Sequence, residues 1–256
     1  MSGSIKTEIA DGICTLTLKN DGKRNAITYG MMRSITEAVN DLEAKDDDYV
    51  LVITGAGEKA FSAGFDLDQD RDPDKESWWK EVNATIEDYE YPTVAMINGD
   101  TYGGAMEIVC DCDIRVGVED ARFGITPAKI GIVYSPQAIT RVVRTVGTAK
   151  AKELLFTGNA IRGDHAFEIG LLNYVVDDQE ALESKAYGLA ETMAGNAPMS
   201  LKRMKKIIGA INAKEELSEA EMEWGQEMRM EAFESRDHEE GVEAFSEGRE
   251  PEFEGR

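Results

Sequence analysis

The sequence predicts an α/β fold in which parallel strands alternate with helices. Two short apolar segments, at 49–54 (YVLVIT) and 93–97 (TVAMI), are typical of buried strands, and small residues and then a helical pattern follow each of them. Such alternation favours parallel pairing, because the intervening helix returns the chain to the same end of the sheet. The repeated short strand–strand–helix units favour a spiral over a flat sheet, although periodicity alone leaves both open.

The other elements follow from local signals along the chain. Asp11-Gly12 predicts the turn of an antiparallel hairpin over 5–18. Thr28 predicts the N-cap of a helix over 28–44, and Ser135 followed by a proline predicts the start of another. The remaining predictions are a loop over 68–79, a helix over 80–89, a short helix ending at residue 111, and strands over 113–118 and 173–176.

The composition is that of a folded globular protein. With 256 residues, of which 42% are hydrophobic, the chain can bury one core or a core with a smaller appendage. No apolar run approaches the roughly 20 residues of a membrane span. The first residues, MSGSIKTEIADG, lack the basic and apolar regions of a signal peptide. We therefore expect a cytoplasmic protein without a membrane partner.

The cysteines and histidines argue against a metal site. Cys14, Cys110 and Cys112 are too few for a disulfide framework. Cys110-Asp-Cys112 is more typical of a strand entered from a helix, with one cysteine packed inside, than of a metal or redox site. Two histidines offer no zinc constellation.

The net charge is −22, from 28 basic and 50 acidic residues. A small soluble domain usually carries a net charge of about 2–8 in magnitude. Such a surface repels nucleic acid and resembles the surfaces of proteins from salt-accumulating organisms, in which cations screen the repulsion. The alternative is an acidic binding surface for a basic partner.

Two glycine-bearing segments, here called the first and second donor segments, predict the functional site. They are AFSAGFDL at 60–67 and INGDTYGGAMEI at 97–108, each leaving a predicted strand. Small residues at such positions expose backbone N–H groups, the second set at the start of a helix. Two donors that converge on one point form an oxyanion hole, which stabilises negative charge on a carbonyl oxygen. The alternative is that the glycines only permit tight turns.

The spacing of these segments and their flanking residues resemble the crotonase (enoyl-CoA hydratase/isomerase) superfamily over nearly the whole chain. The resemblance implies a β-β-α superhelical core with an acyl-CoA site over 1–195. It also implies a C-terminal helical region over 196–256 that forms a homotrimer or a dimer of trimers and covers CoA. Within that region an apolar stripe at helical spacing favours either subunit contact or intramolecular core; it comprises Leu217, Ala220, Trp224 and Met228.

The family resemblance also assigns roles in the site. The N–H groups of Phe65 and Gly104 correspond to the oxyanion hole, which would hold the enolate of an acyl-CoA thioester without a metal or redox cofactor. Glu107 corresponds to the first of two glutamates that family hydratases use as acid and base. At the place of the second glutamate this chain has Pro127, which cannot transfer a proton.

Three segments resemble the methylmalonyl-CoA decarboxylase subfamily: YGGAMEI, FGITPAKIGIVY and SRDHEEGVEAFSEGREPEF. That subfamily also has the proline and a tyrosine at the position of Tyr134. Decarboxylation needs no base at the α-carbon, only a poorly solvated pocket that holds the carboxylate and an oxyanion hole. The Tyr134 hydroxyl would orient that carboxylate; the alternative is that Tyr134 is a core aromatic.

The resemblance further implies where CoA binds. The adenine would lie near the main chain of the first donor segment, and the phosphates would meet basic residues near the N-terminus and one in the C-terminal region. Tyr102 and Pro127 would line the pocket. The remaining candidates for CoA binding are Lys23, Arg24, Ala26, Ala63, Asp66 and Arg249.

Four functions follow, in order of preference. The first is decarboxylation of a malonyl-type CoA ester such as methylmalonyl-CoA. The second is enoyl-CoA hydration by Glu107, alone or with a carboxylate from the acidic loop after Asp66. The third is enoyl-CoA isomerisation by one carboxylate. The fourth is a non-catalytic acyl-CoA-binding or RNA-associated relative, and the acidic surface argues against RNA.

The charge predicts that the protein loses structure or activity at low ionic strength. As salt falls from about 1 M to about 0.01 M, the Debye length grows from roughly 3 Å to roughly 30 Å, so the repulsion between surface carboxylates is no longer screened. Thermal unfolding followed by circular dichroism should show a falling melting temperature, and restored salt should recover it. Full structure and activity in dilute buffer would refute the salt-adapted interpretation.

Overall fold

The structure, a computed structural model, describes residues 3–45, 49–69, 73–130, 133–212, 234–247 and 252–255 and positions 220, 227, 231 and 249. These residues include ten strands, eight α-helices and one short 3-10 helix. The strands are β1 (Ser4–Ala10), β2 (Ile13–Lys19), β3 (Val50–Gly55), β4 (Ala60–Ser62), β5 (Thr93–Ile97), β6 (Asp100–Tyr102), β7 (Ile114–Val118), β8 (Arg122–Gly124), β9 (Ile161–Arg162) and β10 (Tyr174–Val176). The helices are α1 (Tyr29–Glu43), α2 (Pro73–Asp88), α3 (Ala105–Asp111), α4 (Pro136–Thr157), α5 (Gly163–Glu168), α6 (Gln179–Ala194), α7 (Pro198–Asn212) and α8 (Arg236–Glu247).

The strands form two sheets. The larger has the order β1-β2-β3-β5-β7-β10 and is parallel except for the β1–β2 hairpin; the smaller has the order β4-β6-β8-β9. Three successive units, β3-β4-α2, β5-β6-α3 and β7-β8-α4, each place the first strand in the larger sheet and the second in the smaller one. The predicted α/β fold of spiralling β-β-α units is therefore confirmed.

The core lies between the larger sheet and the helices that cover it. Every residue of β3 and β5 is buried, as expected for central strands of a parallel sheet whose two faces are both covered. On α1 the residues Met32, Ile35, Val39 and Leu42, spaced by three or four, are all 2% exposed or less. This spacing forms one apolar face of a helix, and its burial fixes α1 against the core.

The Asn98 amide fixes the corner at which the chain passes from β3 of the larger sheet to β4 of the smaller one. Its Oδ1 accepts from the Gly55 N–H at 3.0 Å, and its Nδ2 donates to the Gly55 carbonyl at 2.9 Å and to that of Gly57. The Asn25 amide donates to the Ala60 carbonyl at 2.8 Å from the other side. Since β4 forms the start of the first glycine-bearing segment, these two buried amides orient that segment.

Several local predictions are confirmed. Asp11-Gly12 is the hairpin turn, and β1 pairs with β2 in antiparallel register. Thr28 caps α1 by accepting from the Met31 N–H, and Ser135 caps α4 by accepting from the Ala138 N–H. The helix before residue 111 and the strands over 93–97, 113–118 and 173–176 lie where they were expected, within one residue at each end.

The loop predicted over 68–79 is wrong in its second half. The α2 helix begins at Pro73 and not near residue 80. A proline is well suited to the first position of a helix, because its missing N–H has no intrahelical partner there. The polar residues after it obscured the apolar face, which continues from Trp79 to the buried Val82 and Ile86.

The C-terminal region is described in part. A break between α6 and α7 lies at the predicted domain boundary, but the division into two domains stays a prediction. Of the predicted apolar stripe, Ala220 is exposed and the other three residues lie outside the described ones. Among the helices of the described residues, none is long and apolar enough to cross a membrane.

Replacing Asn98 with alanine should destabilise the fold. The substitution leaves the buried Gly55 N–H and carbonyl without partners, which costs about 1–3 kcal/mol for each unsatisfied group. Equilibrium denaturation in salt should show a lower free energy of unfolding. The matched control is Asn159→Ala, whose exposed amide contacts only an exposed lysine among the described residues and should have little effect. Equal stability of the two variants would refute the role of Asn98.

Candidate active site

The first donor segment begins with β4, and side-chain and backbone hydrogen bonds hold the residues that follow this strand. Gly64 has φ +88°, a left-handed conformation that favours glycine. Its N–H donates to the Ser62 hydroxyl at 3.1 Å. The Gly64 carbonyl accepts from the Ile27 N–H at 2.7 Å, and the Ile27 carbonyl accepts from the Asp66 N–H at 2.9 Å. Phe65 therefore lies between two residues whose backbone is fixed by Ile27.

The glycine turn of the second donor segment lies between β6 and α3. Gly103 has φ +53°, and its N–H donates to the Gly124 carbonyl at 3.0 Å. Gly104 is the N-cap residue of α3. A Cβ atom added to Gly64 would lie 3.0 Å from the Gly104 nitrogen and 2.5 Å from the Tyr102 carbonyl oxygen. The two segments thus approach each other as closely as glycine allows.

The N–H groups of Phe65 and Gly104 differ from those of their neighbours. Those of Gly64, Asp66 and Gly103 each donate within the protein. Within the described part of the chain, neither the Phe65 nor the Gly104 N–H group has a hydrogen-bond acceptor. The chain therefore brings together the two predicted donors and leaves both available to a ligand oxygen.

Glu107 lies on the first turn of α3 and is only 5% exposed. Its Oε1 accepts from the indole Nε1 of Trp79 at 2.8 Å, and its Oε2 lies 3.9 Å from Nη1 of Arg141. Burial raises the pKa of the Glu107 carboxyl, because the charged form loses solvation; the bond from Trp79 and the charge of Arg141 oppose this rise. Glu107 is thus suited to carry a proton nearer to neutral pH than an exposed glutamate.

Arg141, from α4, is shared among three carboxylates. Besides its contact with Glu107, it pairs with Asp111 through Nε and with Glu87 through Nη2 at 2.9 Å. Burial also raises the pKa of the Asp111 carboxyl well above its ordinary value, and Arg141 opposes this. Arg144 adds a second cation at the edge of this cluster, with its Nη1 3.8 Å from Oε1 of Glu87. Two arginines among three carboxylates still leave excess negative charge, which favours retention of protons in this cluster.

Tyr134 lies against the second donor segment. Its hydroxyl donates to the Gly103 carbonyl at 2.6 Å, next to the predicted donor Gly104. Burial and nearby carboxylates raise the pKa of Tyr134 well above its ordinary value, so the hydroxyl is neutral and acts as a hydrogen-bond donor. Pro127, which begins a 3-10 helix, is half-buried. The role of either residue toward a substrate stays a prediction.

The predicted CoA-binding residues near the first segment are close to one another. Lys23 pairs with the carboxylate of the buried Asp66 at 2.9 Å and with that of Asp68 at 2.9 Å. The exposed Ala63 donates its N–H to the Arg24 carbonyl at 2.9 Å. The Lys23 charge is therefore balanced by carboxylates of the protein, which weakens its expected attraction for a phosphate.

The other predicted contacts are Ala26, Tyr102 and Arg249. The buried Ala26 has its carbonyl bound by Asn20 at 2.7 Å. Tyr102 is half-buried, with its ring packed against Gly124. Arg249 pairs with Glu240 at 2.6 Å and with Glu247 at 2.6 Å. Whether Arg249 reaches a neighbouring subunit's CoA stays a prediction.

Sequence reasoning missed three residues of the site: Trp79, Arg141 and Asp111. Trp79 was placed in a loop, although it precedes Val82 and Ile86 at helical spacing. Asp111 lies four residues after Glu107, a spacing that puts both on one side of a helix. Nothing local marks Arg141, because its contacts with α2 and α3 are long-range.

Comparison with known proteins identifies the family to which this fold belongs. A sequence model described as Enoyl-CoA hydratase/isomerase matches residues 8–256. The chain is 29% identical over 238 residues to methylmalonyl-CoA decarboxylase of Escherichia coli K12, covering 91% of each chain. It is 31% identical over 202 residues to short-chain-enoyl-CoA hydratase of Clostridium acetobutylicum, covering 77% of each. A crystal structure of an enoyl-CoA hydratase/carnithine racemase from Magnetospirillum magneticum matches with a TM-score of 0.91 and 28% identity, covering 100% of this chain and 97% of that one.

The spiral of β-β-α units with two adjoining glycine turns defines a protein of the crotonase class. Because the family match extends over nearly the whole chain, this protein belongs to the enoyl-CoA hydratase/isomerase family. The names of its relatives include both a decarboxylase and hydratases at similar identity. Family membership alone therefore does not determine the reaction.

The raised pKa of Glu107 predicts how stability depends on pH. A carboxyl group whose pKa is higher in the folded than in the unfolded state destabilises the fold as pH rises through that interval. Glu107→Gln keeps an acceptor for Trp79 and removes this ionisation. Its free energy of unfolding relative to wild type should therefore increase from about pH 4 to about pH 7.

Denaturation at both pH values in the same salt measures this difference. The matched control is Glu153→Gln, because the bond from Lys150 lowers the pKa of the exposed Glu153. The free energy of unfolding of Glu153→Gln relative to wild type should change little with pH, and in the opposite direction. A Glu107→Gln difference that is constant with pH would show that Glu107 is not perturbed.

Proposed function

We propose that this protein is an enzyme that stabilises the enolate of an acyl-CoA thioester, and that it decarboxylates a malonyl-type ester such as methylmalonyl-CoA. One observation carries the proposal: two adjoining backbone turns present N–H groups, at Phe65 and Gly104, that have no acceptor within the described residues. Each such donor contributes about 2.7–4 kcal/mol to the stabilisation of a developing oxyanion.

The reaction would proceed in two steps. The bond between the α-carbon and the substrate carboxylate breaks, CO₂ leaves, and the electron pair forms the enolate, whose oxygen accepts from both N–H groups. The protonated Glu107 then donates its proton to the α-carbon, and water restores that proton. The buried carboxyl with its raised pKa suits this second step. No metal or redox cofactor takes part.

Tyr134 would orient the carboxylate that leaves. Its hydroxyl lies at the Gly103 carbonyl, beside the proposed donor Gly104. An ionised carboxylate is a stronger acceptor than a carbonyl, so the neutral hydroxyl can turn from Gly103 to the substrate. A hydroxyl orients the carboxylate without adding a cation that would stabilise the ground state.

Three further points favour decarboxylation. Pro127 stands where family hydratases have their second glutamate, and it has no proton to transfer. The two other carboxylates near Glu107, those of Asp111 and Glu87, are both paired with Arg141. The chain is also similar to a methylmalonyl-CoA decarboxylase along 91% of its length.

Enoyl-CoA hydration is the second candidate. It is favoured by the orientation of Glu107, which is fixed by Trp79 as expected for a general acid or base, and by the similarity to a short-chain-enoyl-CoA hydratase. In that reaction Glu107 alone would transfer the proton of the attacking water.

The same proposal extends to CoA binding and assembly. We expect CoA to lie along Ala63 and Asp66, with Lys23, Arg24 and Arg249 near its phosphates. We further expect the region over 196–256 to form a trimer or a dimer of trimers. Size-exclusion chromatography with light scattering measures the latter directly.

Mass spectrometry of CoA products decides between the two reactions. After incubation in salt, methylmalonyl-CoA should lose CO₂, while crotonyl-CoA should gain no water. Tyr134→Phe should then lower kcat strongly. If crotonyl-CoA alone is converted, Glu107→Gln inactivates and Tyr134→Phe stays active, the hydratase candidate replaces the decarboxylase. Conversion of neither ester, with binding of both, would make the protein a binding module.

A further inference from the structure

Trp79 contacts two parts of the candidate active site at once. Its indole Nε1 donates to Oε1 of Glu107 at 2.8 Å. Its six-membered ring lies beside the Cα atom of Gly104, where an added Cβ would come within 2.4 Å of Cζ2. One half-buried side chain therefore touches both the proposed acid and the second donor segment.

The α2 helix holds Trp79 in this place. Val82 and Ile86, three and seven positions further along, are fully buried in the core. The neighbouring Trp78 has a different partner, because its ring packs edge-on against Tyr29 of α1 with 6.0 Å between centroids. The two adjacent tryptophans thus differ in their contact with the site, which makes Trp78 a matched control.

Resting on the proposed function, we propose that Trp79 is the positioning residue for Glu107 and that its ring limits the acyl group to short chains. The thioester oxygen would lie at the Gly104 N–H, and the α-carbon would face Glu107. The ring contacts both residues, so it borders the acyl group immediately beyond the reacting carbons. A longer chain would have to displace it.

The hydrogen bond from Trp79 acts within a crowded set of charges around Glu107. Arg141 is the cation that faces it, at 3.9 Å, and this arginine is shared with other carboxylates. The titratable groups coupled to Glu107 or to its arginine are Asp111, Glu87, Tyr134 and Cys110. The bond from Trp79 lowers the pKa of Glu107, so its removal raises that pKa further.

Two substitutions at Trp79 separate its two effects. Trp79→Phe keeps a ring but removes the N–H. The limb of the pH–rate profile that belongs to Glu107 should therefore move to higher pH, whichever protonation state the reaction needs. The phenylalanine ring is shorter than the indole and does not reach the position of Cζ2, so the chain-length preference should fall only in part. Trp79→Ala removes both, so the limb should move and the preference should be lost. Trp78→Phe should change neither.

Saturated acyl-CoA esters measure the chain-length effect without turnover. By calorimetry, wild type should bind butyryl-CoA about tenfold or more tightly than octanoyl-CoA, and Trp79→Ala should reduce that ratio by about tenfold. The pH profiles use whichever of methylmalonyl-CoA and crotonyl-CoA the wild type converts. Because Trp79→Phe retains an aromatic ring, the test of the hydrogen bond stands even if Trp79→Ala fails to fold.

The outcomes distinguish the inference from the proposed function. If wild type binds neither ester, both fail. If wild type binds and converts its substrate but the limb stays fixed in Trp79→Phe and the preference persists in Trp79→Ala, the inference alone is overturned. A moved limb in Trp79→Phe together with a lost preference in Trp79→Ala supports it.

Discussion

The close approach of two backbone turns is the constraint on which the site depends. Gly64 faces the 102–104 segment with no room for a side chain, since an added Cβ would lie 2.5 Å from the Tyr102 carbonyl oxygen. That approach requires β4 and β6 to be neighbours in the smaller sheet, and the repeated β-β-α unit makes them so. The buried amides of Asn25 and Asn98 then fix where β4 begins. The pairing of β4 with β6 is therefore required both for the smaller sheet and for the candidate active site.

The negative charges around Glu107 are buried, whereas those of the surface are exposed to solvent. The surface carries a net charge of −22, which salt screens. In the interior, the buried carboxylates of Glu107 and Asp111 share Arg141, and little solvent reaches either of them. Burial therefore dominates the pKa of Glu107 and favours a proton on it, while the bond from Trp79 limits the effect. An acid that donates to a carbanion needs this balance, because a fully ionised carboxylate has no proton to give.

The sequence was informative where backbone geometry determines the residue type. Glycines after predicted strands located both donor segments, and Thr28 and Ser135 located two helix starts, because only a few residue types suit such positions. It was misleading over 68–79, where polar residues hid the start of α2. It could not reveal that Arg141 reaches Glu107, or that Trp79 does, since these contacts join different elements. The family resemblance supplied the spiral fold, which periodicity had left open.

The central claim is that the Phe65 and Gly104 N–H groups bind a thioester oxygen. Difference infrared spectroscopy of butyryl-CoA labelled with ¹³C at the carbonyl tests it most directly, because hydrogen bonds to the oxygen weaken the C=O bond. We predict that the carbonyl stretch of the bound ester moves to lower wavenumber than that of the free ester in the same salt. A bound ester whose carbonyl stretch stays at its solution position would contradict the claim.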